Sequence, residues 1–178
     1  MNLSFRTLEA DEIEVRVASV SGKGCSLLLY KNARCDMNIL DETVGPNNWM
    51  RHHLRDNANC IVSIWDDEKN QWIEKEDTGT ENFTEKEKSI CSDSFKRACV
   101  NWGIGRELYT APFIWIPAEK TTIEKNNKDK WEVKDSFSVE RIAYDDKRRI
   151  VGLAIRNRAD KRVFVFAKEK KEKKEKSE

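Results

Sequence analysis

The sequence predicts a mixed α+β fold, in which one antiparallel β-sheet from residues 12–75 packs against one central α-helix and a β-meander follows toward the C-terminus. Three observations predict it. Apolar and polar residues alternate over residues 12–20, a capped helical pattern covers about residues 85–102, and three short alternating runs lie between residues 137 and 167. The 178 residues suffice for one domain with a substantial core, and because 37% of them are charged, some of that charge must lie on tails or binding surfaces.

The N-terminal half opens with a predicted β-hairpin. The stretch "EIEVRVASV" (12–20) places alternate apolar residues on one face, and "CSLLLYK" (25–31) follows the turn "SGKG" as a second strand. A short helix is predicted before the turn signal "GPNN" at residues 45–48. The next 30 residues, about 50–79, predict a strand, a turn and a strand, connected through residues 66–70.

The helix over about residues 85–102 has the clearest boundaries. Thr84 and Glu87 form a capping-box pattern at its start, and Gly103 is placed to end it. Lys96 and Arg97 lie about 120° or more from its apolar stripe, which predicts that both point away from the core. The stripe consists of Cys91, Phe95, Ala98, Cys99 and Trp102.

The C-terminal part is predicted to be rich in β-structure. Residues 111–117 form a proline-bounded extended segment, and a polar connection leads to strands at about 137–144, 148–156 and 162–167. Residues 1–118 are predicted to form the core, and residues 119–167 to pack on it or extend it. The charged repeat "KEKKEKKEKSE" ending at residue 178 has no apolar face, so residues 168–178 are predicted to be a disordered tail that folding does not need.

No motif indicates an active site, a metal site or a cofactor. The five cysteines include no CxxC pair and are interpreted as reduced, buried thiols, and the adjacent His52 and His53 point to opposite faces of a strand. The GxG at residues 103–105 follows a helix and therefore cannot seat a pyrophosphate at a helix N-terminus. The acidic cluster at residues 66–68 is interpreted as a solvated turn. Without a signal peptide or a membrane-spanning run, the predicted location is the cytoplasm.

Charge is distributed unevenly along the chain. Residues 1–95 carry 11 Lys and Arg against 18 Asp and Glu, a net of −7, whereas residues 141–162 carry eight basic against three acidic residues, a net of +5. Such segregation predicts either a surface that faces a polyanion or complementary contacts between subunits.

Three stretches together resemble a known family. These are "VGPNNW" (44–49), "KEDTGTENFTEKEK" (75–88) and "DSFKRACVNWGIGRELY" (93–109), in that order along the chain. They resemble the signature of the Rad-fifty-two/Rad-twenty-two family of single-strand annealing proteins, in its prokaryotic and phage branch. The resemblance covers about residues 8–110. Asn48 stands where the family has glycine, and residues 120–167 have no clear counterpart.

The resemblance implies a function and a set of DNA-binding residues. In the family, a Lys-Arg pair on the helix lines a groove for single-stranded DNA, which here implies Lys96 and Arg97. An arginine on the first strand and a tyrosine on the second also face DNA, and by order these are Arg16 and Tyr30. The implied activity is ATP-independent strand annealing for recombination or repair, by a ring-shaped homo-oligomer with no metal or cofactor. Implied further partners are a host or phage single-strand-binding protein or exonuclease.

Two other readings remain open from the residues. The same fold could serve as a DNA-end-binding protein or a phage counter-defence adaptor that binds without annealing, because fold alone does not determine function. The acidic clusters could instead belong to a nuclease. A protein that only binds DNA would not anneal labelled strands in the absence of ATP and metal, whereas an annealing protein would. A nuclease would have to cleave DNA in a metal-dependent reaction.

Overall fold

The computed structural model describes residues 3–80 and 86–168, which form two α-helices, eleven β-strands and three short 3₁₀ turns. The helices are α1 (Ala33–Val44) and α2 (Lys86–Trp102). The strands are β1 (Ile13–Ser21), β2 (Gly24–Lys31), β3 (Trp49–Leu54), β4 (Asn59–Asp66), β5 (Gln71–Thr78), β6 (Ile114–Pro117), β7 (Ile123–Lys125), β8 (Trp131–Val133), β9 (Phe137–Tyr144), β10 (Ile150–Asn157) and β11 (Arg162–Ala167). The fold is therefore mixed α and β, and all its strand pairings are antiparallel in the described part of the chain.

Six strands form one strongly curved sheet in the order β11-β10-β9-β1-β2-β6. Its two end strands, β11 and β6, lie near each other, so the sheet approaches a closed barrel. Apolar side chains on its inner face, among them Leu27, Ile116 and Ile155, are 0–3% exposed and form part of the main core. The β1–β2 hairpin is connected to the C-terminal meander by antiparallel pairing of β1 with β9, in which Glu14 lies opposite Ser138.

The strands β3, β4 and β5 form a second, three-stranded sheet, and α2 packs against β4 and β5. Phe95, Ala98 and Cys99 of α2 are fully buried, as are Val62 and Ile64 of β4. The buried stripe predicted for α2 is therefore confirmed in its central turns.

Each helix has a recognisable cap, α1 at its N-terminus and α2 at its C-terminus. Asn32 caps α1, since its side-chain oxygen accepts hydrogen bonds from the backbone N–H groups of Arg34 and Cys35 at 2.9 and 3.1 Å. At the end of α2, Gly103 has a φ of +102°. The Gly103 N–H donates to the Val100 carbonyl and the Ile104 N–H to the Cys99 carbonyl, the two bonds of a Schellman motif. Gly103 thus ends the helix as predicted, while Thr84 of the predicted capping box lies outside the described residues.

The sequence interpretation of a single sheet over residues 12–75 is wrong, because those residues contribute to two sheets. A strand has only two edges for hydrogen bonding. The edges of β1 are occupied by β2 and β9, and those of β2 by β1 and β6. β3, β4 and β5 pair only with one another and form a separate sheet.

Two further differences concern turns. The stretch interpreted as two strands contains three, because residues 55–58 turn the chain between β3 and β4, with positive φ angles of 52°, 52° and 68° at Arg55, Asp56 and Asn57. The polar connection before residue 137 contains the β7–β8 hairpin. By contrast, the three predicted C-terminal strands agree with β9, β10 and β11 within two residues.

Three further findings concern the cysteines, the two helices and the C-terminal tail. All five cysteines are free thiols, and four of them are buried, Cys91 being half-buried. Neither described helix combines the length and the apolar character needed to cross a bilayer. Of the predicted tail, residues 169–178 lie outside the described residues, and Lys168 donates its backbone N–H to the Val151 carbonyl at 2.8 Å.

Candidate functional site

A groove of about 490 Å³ lies between β2, the outer face of α2 and the segment that follows α2. Its lining includes Arg16, Tyr30, Lys96 and Arg97, the four residues that the family resemblance singles out as DNA-binding. Arg16 and Tyr30 come from the β1–β2 hairpin, whereas Lys96 and Arg97 come from α2, which is distant from the hairpin in the sequence. The structure therefore brings all four predicted residues together along one concave surface.

The two strand residues share one face of the β1–β2 hairpin. Arg16 lies opposite Leu28 in the register, and Glu14 lies opposite Tyr30. Because directly opposed residues project to the same side of a sheet, Arg16, Leu28 and Tyr30 form one patch. The neighbouring Glu14 carboxylate, together with partial burial, raises the pKa of the Tyr30 hydroxyl. Tyr30 therefore remains a neutral hydrogen-bonding group at neutral pH.

The two helix cations are held by loose ion pairs. Lys96 Nζ lies 4.0 Å from Asp93 Oδ1, and Arg97 Nε lies 3.4 Å from Asp77 Oδ1 on β5. The Arg97 side chain is 44% exposed, as the helical wheel predicts, whereas that of Lys96 is 25% exposed and lies along the groove wall. Loose pairs between partly exposed side chains contribute about 1 kcal/mol or less, so a phosphate group could compete with either carboxylate for its cation.

A buried ion pair on the core side of the groove holds β2 and α2 in position. Lys31 at the end of β2 pairs with Asp36 of α1, and both are almost completely buried. Burial raises the pKa of Asp36 to about 6, against the lowering influence of Lys31. Lys31 Nζ also lies 3.4 Å from the Lys96 carbonyl oxygen, to which it donates. The backbone of α2 at Lys96 is thereby tied to β2, so the groove does not depend on its loose surface pairs for its shape.

Sequence reasoning missed the aromatic side of the groove. Tyr109 and Phe113 line it and are 72% and 78% exposed, and Leu28 is 47% exposed. The sequence contains only weak indications that these two rings belong to the site. Tyr109 ends the stretch that resembles the family signature, and Phe113 follows a proline in a short extended segment. Nothing in that local pattern says that either ring faces solvent.

The basic C-terminal segment contributes less free charge than its composition indicates. Within residues 3–80 and 86–168, four of the eight basic residues in 141–162 form ion pairs, and none of the eight lines the groove. Arg149 pairs with Asp145, Arg156 with Asp160, Arg162 with Glu140 and Arg148 with Glu107. The composition of this segment therefore overstates its unpaired positive charge, and the prediction that it faces a polyanion stays a prediction.

One cluster combines a thiol, an imidazole and a hydroxyl at the interface of β3 and α2. The Cys91 sulfur lies 3.4 Å from Nε2 and 3.8 Å from Nδ1 of His53, and the Ser94 hydroxyl lies 3.4 Å from Nδ1. Because the sulfur is nearly equidistant from both ring nitrogens, neither nitrogen is directed at it as a general base would be. Across residues 3–80 and 86–168, no three His, Cys, Asp or Glu side chains are grouped to hold a metal ion.

The groove lining contains three basic side chains that are not buried, Arg16, Lys96 and Arg97, against one acidic side chain, Asp93, with exposed aromatic rings beside them. Lys31 also lines the groove, but it is buried and paired with Asp36. Cations suit the phosphates of a nucleic acid, and aromatic rings suit unpaired bases. No protein-family model, curated protein or solved structure matches this chain.

Proposed function

We propose that the groove binds single-stranded DNA and that the protein anneals complementary strands without ATP, as a homo-oligomer. The observation that carries the proposal is the convergence of Arg16, Tyr30, Lys96 and Arg97 on one groove. The resemblance named these residues from separate stretches of sequence, so their proximity is an independent support. Backbone-gripping cations would leave base edges free to pair, as annealing requires.

The proposal extends to architecture and setting. The β1–β2 hairpin, the three-stranded sheet and α2 would correspond to the annealing-protein core, with α2 as its central helix and residues 119–167 as an extension. The protein would act in the cytoplasm during recombination or repair, alongside a host or phage single-strand-binding protein or exonuclease. By resemblance the oligomer would be a ring. Mass photometry with and without an oligonucleotide of about 40 residues tests this, and a monomer under both conditions would contradict it.

Fluorescence anisotropy on a labelled poly-dT oligonucleotide, across a salt series, tests the DNA-binding groove. The double variant Lys96→Ala/Arg97→Ala should bind more weakly, and its salt slope should be shallower by up to about two, because fewer counterions are released. The matched control is Lys147→Ala/Arg158→Ala, which removes two exposed cations outside the groove. Wild-type affinity and slope in the groove variant would reject the proposed site.

Annealing itself requires a separate measurement. Two complementary strands carrying a fluorophore and a quencher should pair faster with the protein than without it, in buffer that contains EDTA and no nucleotide. The groove variant should lose this acceleration. Tight binding without acceleration would favour the non-annealing end-binding or adaptor alternative over the proposal.

A further inference from the structure

The two most exposed aromatic side chains in the described part of the chain line the same groove. Tyr109 and Phe113 are 72% and 78% exposed, whereas the other exposed aromatics, Trp115 and Trp131, are 36% and 42% exposed. A phenyl ring left in water forgoes the favourable free energy that its burial would contribute. Two such rings on one concave surface indicate a surface made for contact.

The backbone that carries these rings is firmly anchored. The Thr110 hydroxyl donates to the Glu107 carbonyl at 2.7 Å and accepts the Ile150 N–H at 2.9 Å. Glu107, three residues before Thr110, is 2% exposed, and Ile114, directly after Phe113, is 2% exposed. Buried residues therefore flank the exposed rings on both sides. A ring held on a fixed backbone loses little conformational entropy when a flat partner stacks on it.

The charges of the groove indicate what that partner is. Arg16, Lys96 and Arg97 line the same groove as the rings, and the acidic Asp93 is outnumbered. A protein partner with an apolar face would offer no anionic group to Arg16 or to the loosely paired Lys96 and Arg97. A single nucleic-acid strand complements both the cations and the aromatic rings of the groove, because its phosphates are anionic and its unpaired bases present apolar faces. A duplex would not, since its bases are stacked inside.

We propose that Tyr109 and Phe113 form a base-stacking platform, which turns the cationic groove into a site selective for unpaired bases. The inference rests on the proposed function, since it assumes that single-stranded DNA occupies the groove. The phosphates run along Arg16, Lys96 and Arg97, and the bases turn toward the two rings. The cations supply salt-dependent affinity and the rings supply the preference for single strands.

The test uses two oligonucleotides of equal length and charge, poly-dT and an abasic tetrahydrofuran polymer. Wild-type protein should bind poly-dT more tightly, because only that probe can stack. Tyr109→Ala and Phe113→Ala should each weaken binding to poly-dT about five- to a hundredfold, the usual worth of one stacked base. Binding to the abasic probe should stay unchanged. The salt slope should also stay unchanged, because no phosphate contact is lost.

Conservative variants distinguish aromatic stacking on a base from apolar contact with a side chain of similar size. Tyr109→Phe and Phe113→Trp should keep the preference for poly-dT, whereas Phe113→Leu, which is apolar but not aromatic, should lose it. Val165→Ala is the matched control, because Val165 is 63% exposed and lies outside the groove. It should bind both probes as the wild type does.

The outcomes distinguish this inference from the proposed function. Equal wild-type affinity for the two probes, or alanine variants that bind poly-dT normally, would overturn the stacking platform and leave the cationic groove intact. Absence of wild-type binding to either probe would overturn both. Sedimentation without DNA adds a third outcome. If Tyr109→Ala/Phe113→Ala dissociates an oligomer, the rings belong to a contact between copies of the chain, and the platform is rejected.

Discussion

At the scale of single residues, one turn of α2 performs two physically separate tasks. Phe95 is fully buried and stacks on Trp49 with ring centroids 6.1 Å apart, while the guanidinium of Arg51 lies 4.7 Å from the Phe95 ring centre. Lys96 and Arg97, the next two residues, line the groove. Stability and binding can therefore be altered independently by substituting neighbouring positions.

We expect Phe95→Ala to lower the free energy of unfolding by about 3–5 kcal/mol, because it removes a fully buried ring and leaves a cavity. Urea denaturation followed by circular dichroism measures this. The control is Lys96→Ala/Arg97→Ala, whose exposed ion pairs should contribute about 1 kcal/mol or less each. Comparable losses in the two proteins would contradict the division of the helix into a packing face and a binding face.

His53 should make the protein less stable in mild acid. Burial, and then the positive charge of Arg51, lower the pKa of His53 below its ordinary value near 6.5. Below that pH the unfolded chain binds a proton that the folded chain resists, so stability falls as pH drops through about 6.5. His53→Gln should flatten the dependence of unfolding free energy on pH between 7 and 5.

The neighbouring histidine provides the control for this prediction. His52 lies on the same strand and is exposed, whereas His53 is half-buried against Cys91 and Ser94. His52→Gln should keep the wild-type pH dependence. If the two variants respond alike, the acid sensitivity does not come from the buried imidazole.

At the scale of elements, the crossing of β5 and α2 depends on Gly79. A methyl group at this position would lie 2.6 Å from the Ser94 nitrogen and 2.8 Å from the Ile90 oxygen. Both are backbone atoms of α2, so neither can move aside without shifting the helix. The strand end can therefore approach the helix only because residue 79 has no side chain.

We expect Gly79→Ala to destabilise the protein by about 1–3 kcal/mol through overpacking. Thermal denaturation measures the effect. Gly22→Ala is the matched control, because the three atoms nearest to a methyl group there all belong to the Trp131 ring, a side chain that is 42% exposed and can rotate away. An equal fall in melting temperature for both variants would mean that the α2 backbone is less constrained than the structure indicates.

Elements that could be predicted from sequence are those whose pattern is local. The alternation over residues 12–20 locates β1, and Gly103 marks the end of α2. The turn between β3 and β4 was missed because Arg55 and Asp56 adopt positive φ angles without a glycine or proline to announce them. The β7 and β8 strands have three residues each, which is too short for periodicity to show.

The arrangement of the elements relative to one another was less predictable, and so was the aromatic side of the groove. Which strand occupies the second edge of β1 depends on β9, more than a hundred residues away, and no local pattern encodes that choice. Arg16, Tyr30, Lys96 and Arg97 were found because a family signature names them. Tyr109 and Phe113 were not, because their exposure results from tertiary contacts such as the Thr110–Ile150 hydrogen bond.

At the scale of the whole molecule, Glu107 joins parts of the chain that belong to different sheets and segments. Its side chain is fully buried, accepts the Leu8 N–H at 2.8 Å and pairs with Arg148 at 3.1 Å. Arg148, in the turn between β9 and β10, also donates to the carbonyls of Arg6 and Gly103, each at 3.2 Å. The N-terminal segment, the end of α2 and the C-terminal meander therefore meet at one carboxylate.

This network predicts that the described chain unfolds as one cooperative unit, even though residues 119–167 lie outside the resemblance to the family. Glu107→Ala should cost about 2–4 kcal/mol, somewhat less than a fully buried ion pair because 35% of the Arg148 side chain stays exposed. Glu107→Gln should cost less, since the amide oxygen can still accept the Leu8 N–H. Hydrogen exchange followed at β4 and at β10 is the decisive measurement, because these strands are in different sheets. Both should lose the same free energy of protection. A loss confined to β10 would mean that the C-terminal meander opens independently, and that the groove is held by the N-terminal part of the chain alone.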